Sequence, residues 1–215
     1  MAEYFDLTQA IRTGMPIVPG DPSPEIRDAA DVPLPWRVTE LLLGTHTGTH
    51  VDAASHYCPD GKTIDQYPVA RFLVPALMGV ATGLSENEVI RVQTLEGVLA
   101  DMPKGGGLLI RTSWDVHWGT ESYLHHPYVA EEAAHAIVSA GVGLVGIDAL
   151  NVDSTTGGGE QVHEILLGND VLIVENLRGL HQLNPSVLYQ LSVLPLSLPN
   201  LDGSPVRAVA WEREG

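Results

Sequence analysis

Apolar positions along this chain gather into short runs separated by Gly, Pro and Asp, the pattern of buried strands joined by tight turns. Tyr4 to Leu7 reads as a short strand, with Thr8 opening a turn towards Ile11. Trp36 to Leu43 reads as another strand, and its end, Leu41 to Leu43, is too apolar for an exposed edge. Val74 to Thr82 and Leu108 to Thr112 are further buried strands, and Thr94, Leu95, Gly97, Val98 and Leu99 between them suggest a short capped helix. Val129, Ala133, Ala136, Ile137 and Ala140 recur at helical spacing, which predicts an amphipathic helix with Glu131, Glu132 and His135 outward and Gly141 as its stop. The run GVGLVGIDAL is a buried strand ending near Asp148; a helix from Gln161 to Leu167 and a strand ending near Glu175 follow. Strand, helix, strand at this spacing is a parallel βαβ unit, with Asp148 and Glu175 at neighbouring carboxyl ends, where ligand sites of open sheets gather. Val187 to Leu198 and Pro205 to Trp211 read as strands joined by a hairpin turn at Asp202-Gly203. The predicted fold class is α/β.

Prolines at 16, 19, 22 and 24 exclude helix and central strand from the segment GMPIVPGDPSPEI, leaving a stiff extended loop that is either a pocket wall or a surface connection. With 215 residues, 44% of them hydrophobic, and no internal repeat or linker, residues 1–215 are expected to form a single domain. Against 27 acidic residues stand 11 basic ones, a net charge of −16 that repels phosphate backbones, so neither nucleic acid nor an anionic membrane is an expected partner. Cys58 is the single cysteine, so no intrachain disulfide forms; a reducing cytoplasm is the expected location, and Cys58 reads as a small buried hydrophobe. The opening MAEYFDLTQAI has no basic region or long apolar core, so no secretory signal is expected, and no apolar run reaches the roughly 18 residues that span a bilayer.

The stretch GTHTGTHVDAASHY, Gly44 to Tyr57, places His46, His50, Asp52 and His56 within eleven residues. Imidazole and carboxylate donors in such density are what borderline divalent metals take. Gly44 and Gly48 permit turns, while Thr47, Gly48 and Thr49 disfavour helix, so the segment reads as a loop tightening into a helical turn near Ala53 and Ala54. Pro59-Asp60-Gly61 is a turn beyond it. Trp114, after the Leu108 to Thr112 strand, either faces substrate or packs on the core, and His125 and His126 read as loop residues without metal. Glu175 interrupts an apolar strand, where an unpaired carboxylate is costly; its partner is either a metal shared with His163 or an ion pair such as Arg178.

The segment HTGTHVDAASHY resembles the HxGTHxDxPxH motif of the metal-dependent cyclase family, which includes bacterial kynurenine formamidases, isatin hydrolases and some polyketide cyclases. Ala54 stands where the family usually has proline. The resemblance continues through RTSW, GIDALNVD and LDGSPVRAV, and the Pro-rich loop is similar to a PxxPGD segment beside the family's site, with Val18 where kynurenine formamidases commonly carry an aromatic residue. It implies a swivelling β/β/α architecture and a homodimer or larger homo-oligomer. It also implies that His46, His50 and Asp52 hold a first metal, that Asp52 and Glu175 bridge to a second bound by His163, and that His56 is the general base. Zinc is the first choice and manganese the alternative, as one or two ions. The activity implied is metal-dependent hydrolysis of a small amide, either an aryl formamide such as formylkynurenine or a cyclic amide such as isatin, by metal-activated water. A polyketide-type cyclase on the same site and a non-catalytic metal-binding protein are the alternatives.

Overall fold

The computed structural model describes residues 3–159 and 161–213. Its centre is a parallel quartet built from the four apolar runs, of which only the last pair is expected from the sequence to be parallel: β5 (Leu73–Val80), β7 (Gly107–Arg111), β9 (Leu144–Ile147) and β10 (Leu172–Glu175) lie side by side in that order. Antiparallel strands flank them. On one side come β11 (Tyr189–Ser192), β13 (Val209–Glu212) and β1 (Tyr4–Asp6); on the other come β4 (His50–Asp52) and β12 (Gly203–Pro205), completing nine strands among the described residues. Two small ribbons stand apart from this sheet, β2 (Glu25–Asp28) with β3 (Thr39–Leu42), and β6 (Val89–Ile90) with β8 (Tyr128–Val129).

The central strands are apolar throughout because both faces of the sheet are covered. Successive side chains alternate between two cores: Leu108 and Ile110 pack with Val145 and Ile173 on one face, Leu109 with Leu144, Leu172 and Val174 on the other. The first face is roofed by α1 (Val92–Ala100), α2 (Glu131–Ser139) and α3 (Gln161–Gly168), which contribute Leu95, Ala133, Ile137 and Leu166. Irregular chain covers the second through Leu7, Tyr67, Phe72 and Leu180. Among the described residues no helix is long and apolar enough to cross a membrane.

Four expectations are corrected. The strand ending at Leu41 to Leu43 is not buried: Leu41 and Leu42 are exposed, because β3 pairs only with β2 in a ribbon bounded by Pro22, Pro24, Pro33 and Pro35. The chain therefore enters the histidine loop from an exposed ribbon, and the buried strand, β4, follows the loop. Asp202-Gly203 is not a hairpin turn. Pro195 and Pro199 break the strand after Ser192, and residues 193–208 leave the β11–β13 edge to lay β12 along β4. Helix α1 begins at Val92 after Arg91, and Thr94 lies inside it instead of capping it. Finally, Val129 belongs to β8, and α2 starts two residues later at Glu131.

The loop after β9 runs beside β8, where the Val129 N–H donates to the Val152 carbonyl, and a histidine fastens it there. His126 is fully buried; its Nδ1–H donates to the Pro127 carbonyl (2.9 Å) and its Nε2 accepts from Thr155 Oγ1 (2.8 Å), the pattern of a neutral ring. Burial pushes its pKa down to about 4. A depressed histidine contributes stability in full above its unfolded pKa of about 6.5, and that contribution is lost as pH falls towards 4. Stability of the wild-type chain should therefore drop by about 2 kcal/mol more between pH 7 and pH 5 than that of His126→Gln, measured by urea denaturation at both pH values. Parallel losses in the two proteins would remove His126 as the cause.

Candidate metal centre

Strand register builds the floor of the site. β4 runs antiparallel to β10 with His50 opposite Glu175, while β12 closes the other edge of β4 with Gly203 opposite Asp52. His50 and Asp52, two residues apart, project from one face of a strand whose residues are all buried. Gly48 ahead of it takes a left-handed turn (φ 65°), and its carbonyl accepts the Nδ1–H of His50 (2.8 Å). Gly203 is small for a local reason: a Cβ there would meet the His46 ring at 2.8 Å.

Six side chains converge here: His46, His50, Asp52, His56, His163 and Glu175. His46 Nδ1 lies 2.7 Å from Asp52 Oδ1, and its Nε2 lies 2.9 Å from Asp202 Oδ2. With Nδ1 of His50 committed to Gly48, its Nε2 faces Asp52 Oδ1 (3.2 Å) and Glu175 Oε2 (3.6 Å). His163, on the first turn of α3, donates Nδ1–H to Asp153 Oδ2 (2.7 Å), turning Nε2 towards Asp52 Oδ2 and Glu175 Oε1, both at 3.7 Å. Asp153 also accepts the backbone N–H groups of Val162 and His163, so one carboxylate caps α3 and orients its histidine. His56 comes from the short helical turn Ala54–His56, its ring 3.9 Å from that of His46, and donates Nδ1–H to Asp202 Oδ2 (3.3 Å). At 34% side-chain exposure it sits on the rim, whereas Asp52 and Glu175 are sealed below.

Charge in this cluster is shared unevenly. Burial penalises Asp52, but His50 and His46 hold its pKa well below the usual carboxylate range. Burial and then the neighbouring Asp52 push Glu175 up to about 7. For His46 burial opposes protonation, but Asp52 and Asp202 outweigh it and carry the pKa up to about 10. His163 is likewise raised against its burial by Asp153, Asp52 and Glu175. Burial keeps His56 below its ordinary value.

The donor set fits a divalent cation. Asp52 Oδ2 is sealed from solvent with no hydrogen-bond partner, a costly state that a cation relieves. His50 and His163 each have one ring nitrogen tied to an oxygen and the other aimed at Asp52 and Glu175, the arrangement that orients metal-binding imidazoles. Donor atoms of His50, Asp52 and Glu175 lie within 4.8 Å of one another, as do those of His46, Asp52 and His56, so two overlapping groups share Asp52. The site opens into a cavity of about 400 Å³ walled by Pro16, Ile17, Val18, Tyr57 and Leu150, which makes the Pro-rich loop a wall of the pocket.

Other candidates lie elsewhere. Trp114 packs in the helix-side core, donating Nε1–H to the Ser122 carbonyl. Cys58 is half-buried against the same core. Asp148 accepts three hydrogen bonds from Thr112 and Ser113 and holds that turn, away from the metal-type donors. Arg178 pairs with Asp6, and among the described residues the ion-pair partners of Glu175 are His50 and His163. Asp202 and Asp153 hold site histidines, and neither stands out in the sequence. The first looked like a hairpin residue, and the second lies ten residues before the histidine it orients.

The chain matches the Cyclase family, described as "Putative cyclase", over residues 5–154, and it belongs to that family. A kynurenine formamidase of Bordetella avium (strain 197N) is 31% identical over 224 residues, covering 99% of both chains. Isatin hydrolase A from Labrenzia aggregata shares the fold with a TM-score of 0.88 at 22% identity, over 99% of this chain and 94% of that one. A structure described as a potential metal-dependent hydrolase with cyclase activity is 26% identical with a TM-score of 0.84, covering all of both chains. The α/β architecture expected from the motif is thus the one found.

Asp202 ties His46 to His56 from outside the donor cluster, so Asp202→Asn should weaken binding of zinc or manganese by about 10- to 100-fold. Competition against a fluorescent chelator measures this; an affinity equal to wild type would separate Asp202 from the centre.

Proposed function

We propose that this chain is a metal-dependent hydrolase of small non-peptide amides, acting on an aryl formamide such as formylkynurenine or a cyclic amide such as isatin. The observation that carries the reading is the convergence of three imidazoles and two carboxylates around the unpartnered Asp52 Oδ2 at the floor of a cavity, with one further imidazole on its rim. Support comes from kynurenine formamidases that match along nearly the whole chain, and from structures of isatin hydrolases and metal-dependent hydrolases with the same fold.

His46, His50 and Asp52 would hold a first ion, and Asp52, Glu175 and His163 a second, with zinc preferred and manganese the alternative. Bound there, the ion supplies Lewis-acid polarisation of a carbonyl and lowers the pKa of water. The protein supplies the proton chemistry. With Nδ1 of His56 turned to Asp202, Nε2 is the nitrogen left for the substrate side, and burial keeps the ring neutral at pH 7. It takes a proton from the attacking water and returns it to the leaving nitrogen, while the Asp202 carboxylate steadies the imidazolium in between. The cavity's volume suits one small bicyclic molecule and excludes a folded protein substrate.

The same reading treats residues 1–215 as one catalytic domain. The β2–β3 ribbon supports assembly into a homodimer or larger homo-oligomer: Trp36, Val38, Leu41 and Leu42 are all more than half exposed, and an isolated two-stranded ribbon gains little stability alone. A single cysteine and an acidic surface support a cytoplasmic enzyme without nucleic-acid or membrane partners.

Turnover of formylkynurenine, isatin and simple cyclic imides, with and without chelator, tests the activity; metal-free protein that still hydrolysed them would overturn it. Ring closure of a polyketide without water uptake, in place of hydrolysis, would assign the cyclase chemistry named for one structural relative. His56→Ala should keep its metal and lose at least about 100-fold in kcat, whereas His50→Ala should lose both metal and activity. Full activity in His56→Ala would remove it as the base.

A further inference from the structure

Next to Glu175, the chain places a residue that no step above uses. Asn176 is 3% exposed, lines the cavity and adopts a left-handed backbone (φ 58°), a conformation that asparagine tolerates and that its surroundings hold in place. Its surroundings do so at every polar atom but one. The backbone N–H donates to the Ala149 carbonyl (2.9 Å), the backbone carbonyl accepts from Thr49 Oγ1 (2.6 Å), and the side-chain Oδ1 accepts from the Tyr123 hydroxyl (2.9 Å).

The orientation of the amide follows from Tyr123. That side chain is fully buried, stays protonated because burial raises its pKa, and among the described residues has no other hydrogen-bond partner, so its proton goes to Asn176. Oδ1 therefore faces Tyr123 and Nδ2 faces away. Among the described residues Nδ2 meets no protein acceptor, and it is not among the polar atoms sealed from solvent, so its contact with solvent is through the cavity it lines.

We infer that Asn176 is a catalytic residue that donates an Nδ2–H hydrogen bond to the carbonyl oxygen of the bound amide. The inference rests on the hydrolase reading above. Around this position the floor of the site offers carboxylates, Asp52 and Glu175, which cannot donate to an oxygen when ionised. A neutral donor held rigidly beside them meets an oxygen that gains negative charge as water attacks, and such donors act mainly on kcat.

Two variants test it. Asn176→Asp keeps an acceptor for Tyr123 and tolerates the left-handed backbone but loses the donor; the double variant Asn176→Gly with Tyr123→Phe removes the donor without adding charge or stranding a hydroxyl. Each is assayed as metal-loaded protein with formylkynurenine and isatin, alongside metal content and melting temperature. The expected result is a fall of about 100- to 1,000-fold in kcat with KM within about threefold and metal content unchanged. If the added charge of Asn176→Asp disturbs metal binding, the double variant decides. Tyr123→Phe alone, which leaves the backbone anchors of Asn176 in place, should keep at least about a tenth of wild-type kcat. The inference is overturned if the double variant retains kcat within about threefold of wild type, or if Tyr123→Phe alone is as damaged as the double variant, which would make the role structural. A wild-type protein that hydrolyses neither substrate fails the hydrolase reading itself, and the assignment of Asn176 goes with it.

Discussion

A carboxylate buried on a strand with neighbours along both edges is the constraint on which the rest of this molecule depends. Asp52 is paired through its backbone to β10 on one side and β12 on the other, so neither solvent nor a shift of the strand can relieve its charge. Relief has to come from side chains, and the fold delivers His46, His50 and His163 to it from three different elements. It also delivers Glu175, a second carboxylate in the same sealed place, which by itself worsens the problem. The combination makes sense as a cradle that is complete only with positive charge inside it.

Around that cradle the scaffold separates tasks by depth. At the bottom, strand pairing sets the spacing of His50, Asp52 and Glu175 with the rigidity of a sheet. One layer up, Asp153 and the Gly48 carbonyl each take the second nitrogen of a histidine and so fix which nitrogen faces inward. At the rim, His56 is left partly exposed and tied by one bond to Asp202, a placement that suits the base role proposed for it. Asn176 directly follows Glu175 at the end of β10, so the open donor stands beside the cradle on the same strand end.

Local pattern sufficed wherever the physical cause is local. The apolar runs at Val74, Leu108, Leu144 and Leu172 are short and bounded by turn residues, as buried strands are, and the period of Ala133 and Ile137 is that of a helix face, so those elements are legible to within about three residues. The same logic failed at Leu41 to Leu43, because an apolar run states that a surface avoids water without saying what covers it. It failed again at Asp202-Gly203, where a good turn dipeptide is overruled by pairing between β12 and a strand some 150 residues earlier in the chain.

The candidate site divides along the same line. His46, His50, Asp52 and His56 were visible in the sequence by itself, since closely spaced imidazoles and a carboxylate are a local signature of metal chemistry, and Glu175 stood out as a charge in an apolar strand. His163 is a candidate in the sequence only as a partner for Glu175 on the same βαβ unit, and its place in a ligand set is what the family resemblance implies, because one histidine on an amphipathic helix is a weak signal. Only the tertiary structure decided that Asp202 bridges His46 and His56, that Arg178 leaves Glu175 to the histidines, and that Asn176 keeps a free donor. Each of those facts depends on strand register and on which side chains meet across the fold, and contacts between residues far apart in the chain leave no trace in the order of neighbours.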